Sequence, residues 1–233
     1  MPENIERKID LETPKVRGGQ LVLISALIAA LIASGYASYE LLWTNYVADK
    51  KASVVRTEIL KSWSPTNKKL VVAKRPGKGF ALLYIPRLKN KVWSLPILEG
   101  VEAQQIDSGV GHYSLSAMPG QIGNFAIAGH RATYGEPFAN FDRLKVNDNV
   151  IVRTKNQWFT YTLDQNRLVK PTETWVVNYP LKPPLDSLIN SQKLISLVTC
   201  DPRWGSVRRW VWWGHMIKTT NVPSTKFKSS SVQ

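Results

Sequence analysis

Cysteine, histidine and acidic residues are all scarce in this chain of 233 residues. A single cysteine, Cys200, cannot close an intrachain disulfide, and it excludes a cysteine-based zinc cluster. The three histidines, at 112, 130 and 215, are spread too widely to form a local metal motif. Asp and Glu number 17 against 31 Lys and Arg, a formal charge of +14. Against these shortages stand nine tryptophans and an apolar share of 43%, which exclude disorder throughout. That composition suits one packed domain with appendages. Two questions follow: whether the lone thiol is inert or reactive, and what the positive charge serves.

The charge is unevenly placed. Residues 1–20 balance four bases against four acids, and residues 21–40 carry only Glu40. Residues 41–78 then hold Lys50, Lys51, Arg56, Lys61, Lys68, Lys69, Lys74, Arg75 and Lys78 against Asp49 and Glu58. About half of the excess therefore lies outside the later part of the chain. A nucleic-acid module would carry its charge on a folded face with stacking aromatics beside it, so this distribution argues against one.

Leu21 to Tyr39 is a run of 19 uncharged residues. As a helix it is long enough for a hydrocarbon core of ~30 Å. Tyr36, Tyr39, Trp43 and Tyr46 gather at its far end, as interfacial anchors do. A buried core helix would show a polar face, and the run exceeds the core of a usual cleaved signal, so an uncleaved anchor is expected. Lys15 and Arg17 abut its start and the first base beyond is Lys50, which places the amino terminus in the cytoplasm and the bulk outside. The expected organisation is a cytoplasmic tail (1–20), a transmembrane anchor (21–40), a basic stalk or linker (41–78), a catalytic domain (79–221) and a disordered tail (222–233). Within the stalk, Asn45 to Trp63 can be helical, broken by Ser64-Pro65-Thr66-Asn67. It reads equally as a solvated linker or as a segment drawn to anionic lipid head groups or wall polymers.

From Gly79 the texture is β. Short runs at 80–85, 92–95, 124–128, 149–153, 157–163, 167–169, 174–177, 193–199 and 209–213 are rich in β-branched and aromatic residues. Gly, Pro, Asn and Asp separate them at roughly ten-residue spacing, a barrel or sandwich pattern. Helical turns are expected only near 138–144 and 185–190. The body is a mainly-β domain.

Two segments carry chemistry-bearing residues. In the first, Asn124 to Ala128 is a short strand, and Gly129-His130 lies at its end before a polar loop. Taken alone, a histidine there is better explained by ordinary hydrogen bonding than by catalysis. In the second, Cys200 closes an apolar strand that Asp201-Pro202 stops. A structural cysteine is more often buried mid-strand, whereas one at a strand exit presents its sulfur at the rim of the sheet. The chain returns after the loop 201–208 with Arg208-Arg209. In an antiparallel hairpin those arginines lie beside Cys200, and side-chain alternation lets only one share its face. Cys, His and Arg are the parts of thiol-based acyl transfer: a thiolate nucleophile, a proton donor and acceptor, and a stabiliser of the oxyanion.

Leu197-Val198-Thr199-Cys200 resembles the T-L-X-T-C motif of sortases, with Ser196 where the first Thr is usual. Gly129-His130 resembles their histidine motif, and Arg209 ahead of an apolar strand their arginine. Asn124 to Phe138, Thr199 to Pro202 and Gly109 to Tyr113 are similar to class E sortases of actinobacteria. The resemblance covers roughly 79–218. It implies a closed eight-stranded β-barrel, mainly β with short helices, and a membrane-anchored cysteine transpeptidase at the cell surface. Such an enzyme cleaves an L-A-X-T-G or L-P-X-T-G sorting signal between Thr and Gly, holds a thioester and passes it to a peptidoglycan-precursor amine such as that of lipid II. The resemblance assigns Cys200 as nucleophile, His130 as general acid/base and Arg209 as oxyanion or substrate-orienting group, the family register choosing 209 over 208. Tyr113 and Thr199 are expected to contact substrate, with Tyr113 bearing on the preference for L-A-X-T-G. His112 and His215 are expected to be structural. No cofactor and no metal are implied, and Glu99, Glu102 and Asp107 read as solvated loop charges rather than calcium ligands. Competing readings are a membrane-anchored cysteine peptidase, a pilin-polymerising sortase and a non-catalytic wall-binding module.

Overall fold

The structure, a computed structural model, describes residues 18–64, 77–181 and 192–223. The expected amino-terminal tail to residue 17, the helical turn near 185–190, most of the helix break after Ser64 and the tail from 224 lie outside the described residues. The chain divides into two compact units, 1–40 and 41–233. The first holds α1 (Gly18–Ser38), whose 21 residues are all exposed. This helix is long and apolar enough to cross a membrane.

The second unit opens on α2 (Thr44–Trp63) and continues into eight strands: β1 (Gly79–Tyr84), β2 (Trp93–Glu99), β3 (Val110–His112), β4 (Gly123–Ala128), β5 (Asn149–Arg153), β6 (Gln157–Val169), β7 (Lys193–Asp201) and β8 (Arg208–Asn221). A short helix, α3 (Ala103–Ile106), lies between β2 and β3. The strands close into a barrel in the order β1-β2-β3-β4-β7-β8-β6-β5. Pairing is antiparallel except at β2 with β3 and β4 with β7.

Alternation along the strands sorts the side chains into two layers. Phe125, Ile127, Val150, Val152, Tyr161, Leu163, Ile195, Leu197 and Trp212 fill the barrel interior. Tyr161 is 1% exposed and its hydroxyl accepts from the Gly120 amide at 2.8 Å; burial pushes its phenol up to about 12, with that bond pulling slightly down. Residues of the other parity on β7 and β8, namely Leu194, Val198, Val211 and Trp213, form a second cluster outside the barrel with Val169 and Val176.

Several elements differ from the sequence expectation. The runs at 157–163 and 167–169 are one strand, β6. The polar Asp164-Gln165-Asn166 between them sits at a bulge, where Asp164 takes a hydrogen bond from His215 Nδ1 at 2.8 Å and Asn166 one from Trp210 Nε1 at 2.9 Å. Thr174–Val177 is a 3₁₀ turn, not a strand: Glu173 binds the Lys170 amide at 2.7 Å and the Trp175 indole at 3.2 Å, curling the chain. β3 is only three residues long, too short for a pattern. The helical part of the expected stalk lies against the barrel. Val55, Ile59 and Trp63 recur at helical spacing, and they pack around Leu82 and Tyr84. A Cβ on Gly79 would stand 2.6 Å from Val55 Cγ1, so the glycine permits this close approach. Arg153 completes the seam, its guanidinium over Trp63 at 5.1 Å and Trp158 at 5.0 Å.

Candidate active site

Cys200 is one residue from the end of β7, and its cross-strand partner on β8 is Arg209. Direct partners point to the same face, so the alternation left open by the sequence is decided in favour of 209. Arg208 pairs with Asp201 instead, in register and through a 2.6 Å ion pair. The Arg209 guanidinium is held at the hairpin mouth by the carbonyls of Ser206 (3.0 Å) and Arg208 (3.2 Å).

His130 arrives from the other side. β4 runs parallel to β7 with Ala128 opposite Val198. Continuing that register by two residues sets His130 level with Cys200 and on the same parity. Two hydrogen bonds carry the register past the end of β4. The Gly129 amide donates to Val198 O at 3.1 Å, and the Thr199 hydroxyl donates to Gly129 O at 2.8 Å. Thr199, expected from the sequence to touch substrate, is buried with parity opposite to Cys200. Its side chain fastens the histidine end of β4.

The His130 ring is held on two sides. Its Nε2 lies 2.9 Å from Asp107 Oδ1, just beyond α3, and the Tyr134 ring sits 5.1 Å from it. An ionised carboxylate only accepts, so Nε2 is the donor in that contact. Asp107 was expected to be a solvated loop charge; it is a part-buried partner of His130. Glu99 is corrected likewise: it is 3% exposed and lies 2.9 Å from His112 Nδ1. The other His112 nitrogen meets Ala117 O at 3.1 Å and the Ser116 hydroxyl at 2.9 Å, which anchors the loop after β3.

That loop and the Thr174–Val177 turn flank a cleft of about 520 Å³, lined by Gly100, Gln105, Tyr113, Leu115, Thr174 and Val177 among others. The turn is fixed by a buried polar network. Val176 O accepts from Trp213 Nε1 and Ser196 Oγ, both at 3.0 Å, and Ser196 Oγ also lies 3.0 Å from Asn124 Oδ1. Trp175 stacks on Trp213 with centroids 5.8 Å apart. Ser196, the departure from the usual cysteine motif, thus ties the cleft wall to the barrel. Tyr113 lines the cleft and feels the charges of Arg209 and Cys200. Burial pushes its phenol up, Arg209 pulls it down, and Cys200 adds a smaller upward push.

A thiol and a guanidinium are thus direct cross-strand partners, and the β4 register sets an imidazole level with them. The model of the sortase domain matches residues 83–217. The chain belongs to the sortase family. It is 32% identical over 207 residues to sortase E1 of Streptomyces coelicolor, an alignment that covers 86% of this chain and 56% of that protein. The solved structure of sortase E from Streptomyces avermitilis superposes with a TM-score of 0.56 at 37% identity, covering 66% of this chain and 97% of that one. That of Streptomyces coelicolor sortase E1 with a tripeptide in its active site gives 0.57 at 34%, covering 64% and 94%. The expected eight-stranded sortase barrel is present, with the long apolar helix ahead of it.

Sequence reasoning did not find Asp107, Arg131 or Glu136. Arg131 Nη1 lies 2.7 Å from Asp201 Oδ1, and its guanidinium stacks over Trp210 at 4.8 Å. The signal for that pair was available: Arg131 follows His130 as Asp201 follows Cys200, so a parallel register that aligns one pair aligns the other. Glu136 receives Lys91 at 3.0 Å and Arg203 at 2.6 Å. Burial works to raise its carboxyl, but those two cations outweigh it and hold it below the usual range. Asp107 is remote in sequence from His130, and no local pattern announced it.

Proposed function

We propose that this sortase is a membrane-anchored cysteine transpeptidase acting on proteins that bear a carboxy-terminal sorting signal. The observation that carries the reading is the pairing of Cys200 with Arg209 across β7 and β8, with the β4 register bringing His130 alongside. The Cys200 thiolate attacks the carbonyl carbon of the Thr–Gly bond, and Arg209 faces the oxyanion that develops. As the tetrahedral adduct collapses, the C–N bond breaks. The imidazolium of His130 gives its proton to the leaving glycine amine, which leaves the acyl group as a thioester. An incoming amine of a peptidoglycan precursor such as lipid II then attacks that thioester. His130 takes the proton back and the thiolate leaves.

The cleft beside Tyr113 would receive the residues ahead of the scissile bond, and we assign Tyr113 the discrimination of Ala from Pro in an L-A-X-T-G signal. Its resemblance to sortase E1, solved with a tripeptide in that enzyme's active site, supports a peptide occupant. α1 would be the single-pass anchor. Lys15 and Arg17 at its start favour a cytoplasmic amino terminus and an extracellular barrel.

The test is to trap the intermediate. The full-length protein is incubated with an L-A-X-T-G peptide and Cys200 is examined by mass spectrometry, with and without an amine acceptor. An acyl adduct on Cys200, absent in Cys200→Ala and discharged to an amide when the acceptor is added, is the expected result. Folded wild type that forms no adduct overturns the reading, and discharge only to the free acid makes the protein a peptidase.

A further inference from the structure

We propose that α2 is part of the catalytic apparatus, with Asn45 acting as a positioning residue for the loop that carries His130. This rests on the reading of His130 as the acid and base. The loop is an improbable conformation for its sequence. Tyr134, Gly135 and Glu136 all lie in the left-handed region, with φ of 53°, 78° and 41°, and two of the three carry a Cβ. Such a backbone persists only where its surroundings over-determine it.

The surroundings come from separate parts of the unit. Glu136 is clamped between Lys91, ahead of β2, and Arg203, in the β7–β8 loop. The Phe138 amide closes the loop on His130 O at 3.0 Å. A further hold comes from α2. Asn45 Oδ1 accepts from the Gly135 amide at 2.7 Å, in the middle of the left-handed stretch. The amide of Asn45 is itself oriented, because Nδ2 donates to Leu41 O at 2.8 Å. The helix also lies against the glycine: a Cβ built there would stand 3.5 Å from both Ala48 Cβ and Asp49 Oδ1. Gly135 adjoins Tyr134, whose ring lies against the His130 imidazole, so a shift of the Gly135 amide is passed to that ring in one step. Asp107 holds the Nε2 edge of the imidazole, and Asn45 acts through the separate contact with the Tyr134 ring.

The test uses the full chain in detergent micelles or nanodiscs, comparing wild type with Asn45→Ala and Asn45→Asp. Alanine deletes the acceptor, whereas aspartate keeps an oxygen in its place. We expect alanine to lower kcat roughly five-fold with KM within about two-fold, as loss of one net hydrogen bond implies, and aspartate to restore most of it. Amide exchange of 131–137 is followed in parallel and needs no turnover: it should quicken in Asn45→Ala and stay slow in Asn45→Asp. Unchanged exchange and rate in the alanine variant overturn the proposal, and so does an equal loss in both variants, which would mean a general requirement for the helix. Wild type that shows protection at 131–137 but cleaves no sorting peptide sinks the transpeptidase reading while leaving the contact itself measurable.

Discussion

Replacing Asp107 by alanine tests whether His130 needs an anchor outside its own loop. The contact is a charge-assisted hydrogen bond of 2.9 Å, with the two side chains 18% and 24% exposed. Bonds of this kind contribute about 1.5–3 kcal/mol, and partial exposure puts this one near the lower end, about 1.5 kcal/mol. Since ~1.4 kcal/mol is a factor of ten, kcat/KM should fall roughly ten-fold if the bond orients the ring in the transition state. Asp107 is not among the residues lining the cleft, so the loss should fall on kcat and leave KM within about two-fold. Asp107→Asn keeps a carbonyl acceptor for Nε2–H and should lose only about three-fold. The assay is cleavage of a quenched fluorescent sorting peptide by the full-length protein, with initial rates over a range of peptide concentration. Wild-type kinetics in Asp107→Ala, or a loss confined to KM, would refute the reasoning, because the first makes the contact idle and the second makes Asp107 a substrate ligand.

Two further predictions concern the frame of the site. Glu136 is ionised below its ordinary value of 4.5 in the folded chain, so its stabilising contribution is complete above pH 4.5 and is lost as pH falls through the lower folded value. The difference in urea midpoint between wild type and Glu136→Gln, corresponding to about 1 kcal/mol at pH 7, should shrink progressively as pH is lowered below 4.5; a difference that does not fall with pH contradicts the assignment. Gly214→Ala should destabilise the barrel by about 2–3 kcal/mol, since its Cβ would stand 2.1 Å from the Thr162 carbonyl across the β6–β8 ladder. A thermal melt within ~1 °C of wild type would mean that the ladder yields at no cost.

The barrel and the pairing of Cys200 with an arginine across a hairpin were legible because both rest on short-range pattern. Gln157 to Leu163 alternates as a strand should, and Cys200 sits at a strand exit where Asp201-Pro202 stops the run. What stayed hidden depended on partners far off in sequence. Asp164 to Asn166 read as a break because nothing local revealed His215 and Trp210 waiting opposite. Trp175-Val176-Val177 has strand composition, yet Val176 spends its carbonyl on Trp213 and Ser196 across the outer cluster, and Glu173 curls the chain. Glu99 and Asp107 looked like loop acids because charge alone is solvated by default; only the fold sets His112 and His130 beside them. The basic segment at 41–78 masked an apolar stripe on α2, since net charge averages over faces that helical periodicity separates.

The charged residues beside the reactive ones explain how three strand ends are kept in step. Each reactive residue has a charged neighbour in the chain: Arg131 after His130, Asp201 after Cys200, and Arg208 before Arg209. Because strand side chains alternate, the two sets fall on opposite faces. One set, Cys200, Arg209 and His130, shares a face. The other closes on Asp201, whose two oxygens meet Arg131 at 2.7 Å and Arg208 at 2.6 Å. A slip of one residue in β4 against β7, or in β7 against β8, would carry a reactive side chain off the shared face. It would also strip Asp201 of one of its cations and strand a carboxylate of a residue only 7% exposed. The ionic cluster therefore penalises the same misregister that would separate Cys200 from its partners. The thiol, imidazole and guanidinium are thus placed by backbone ladders whose register is sealed from behind.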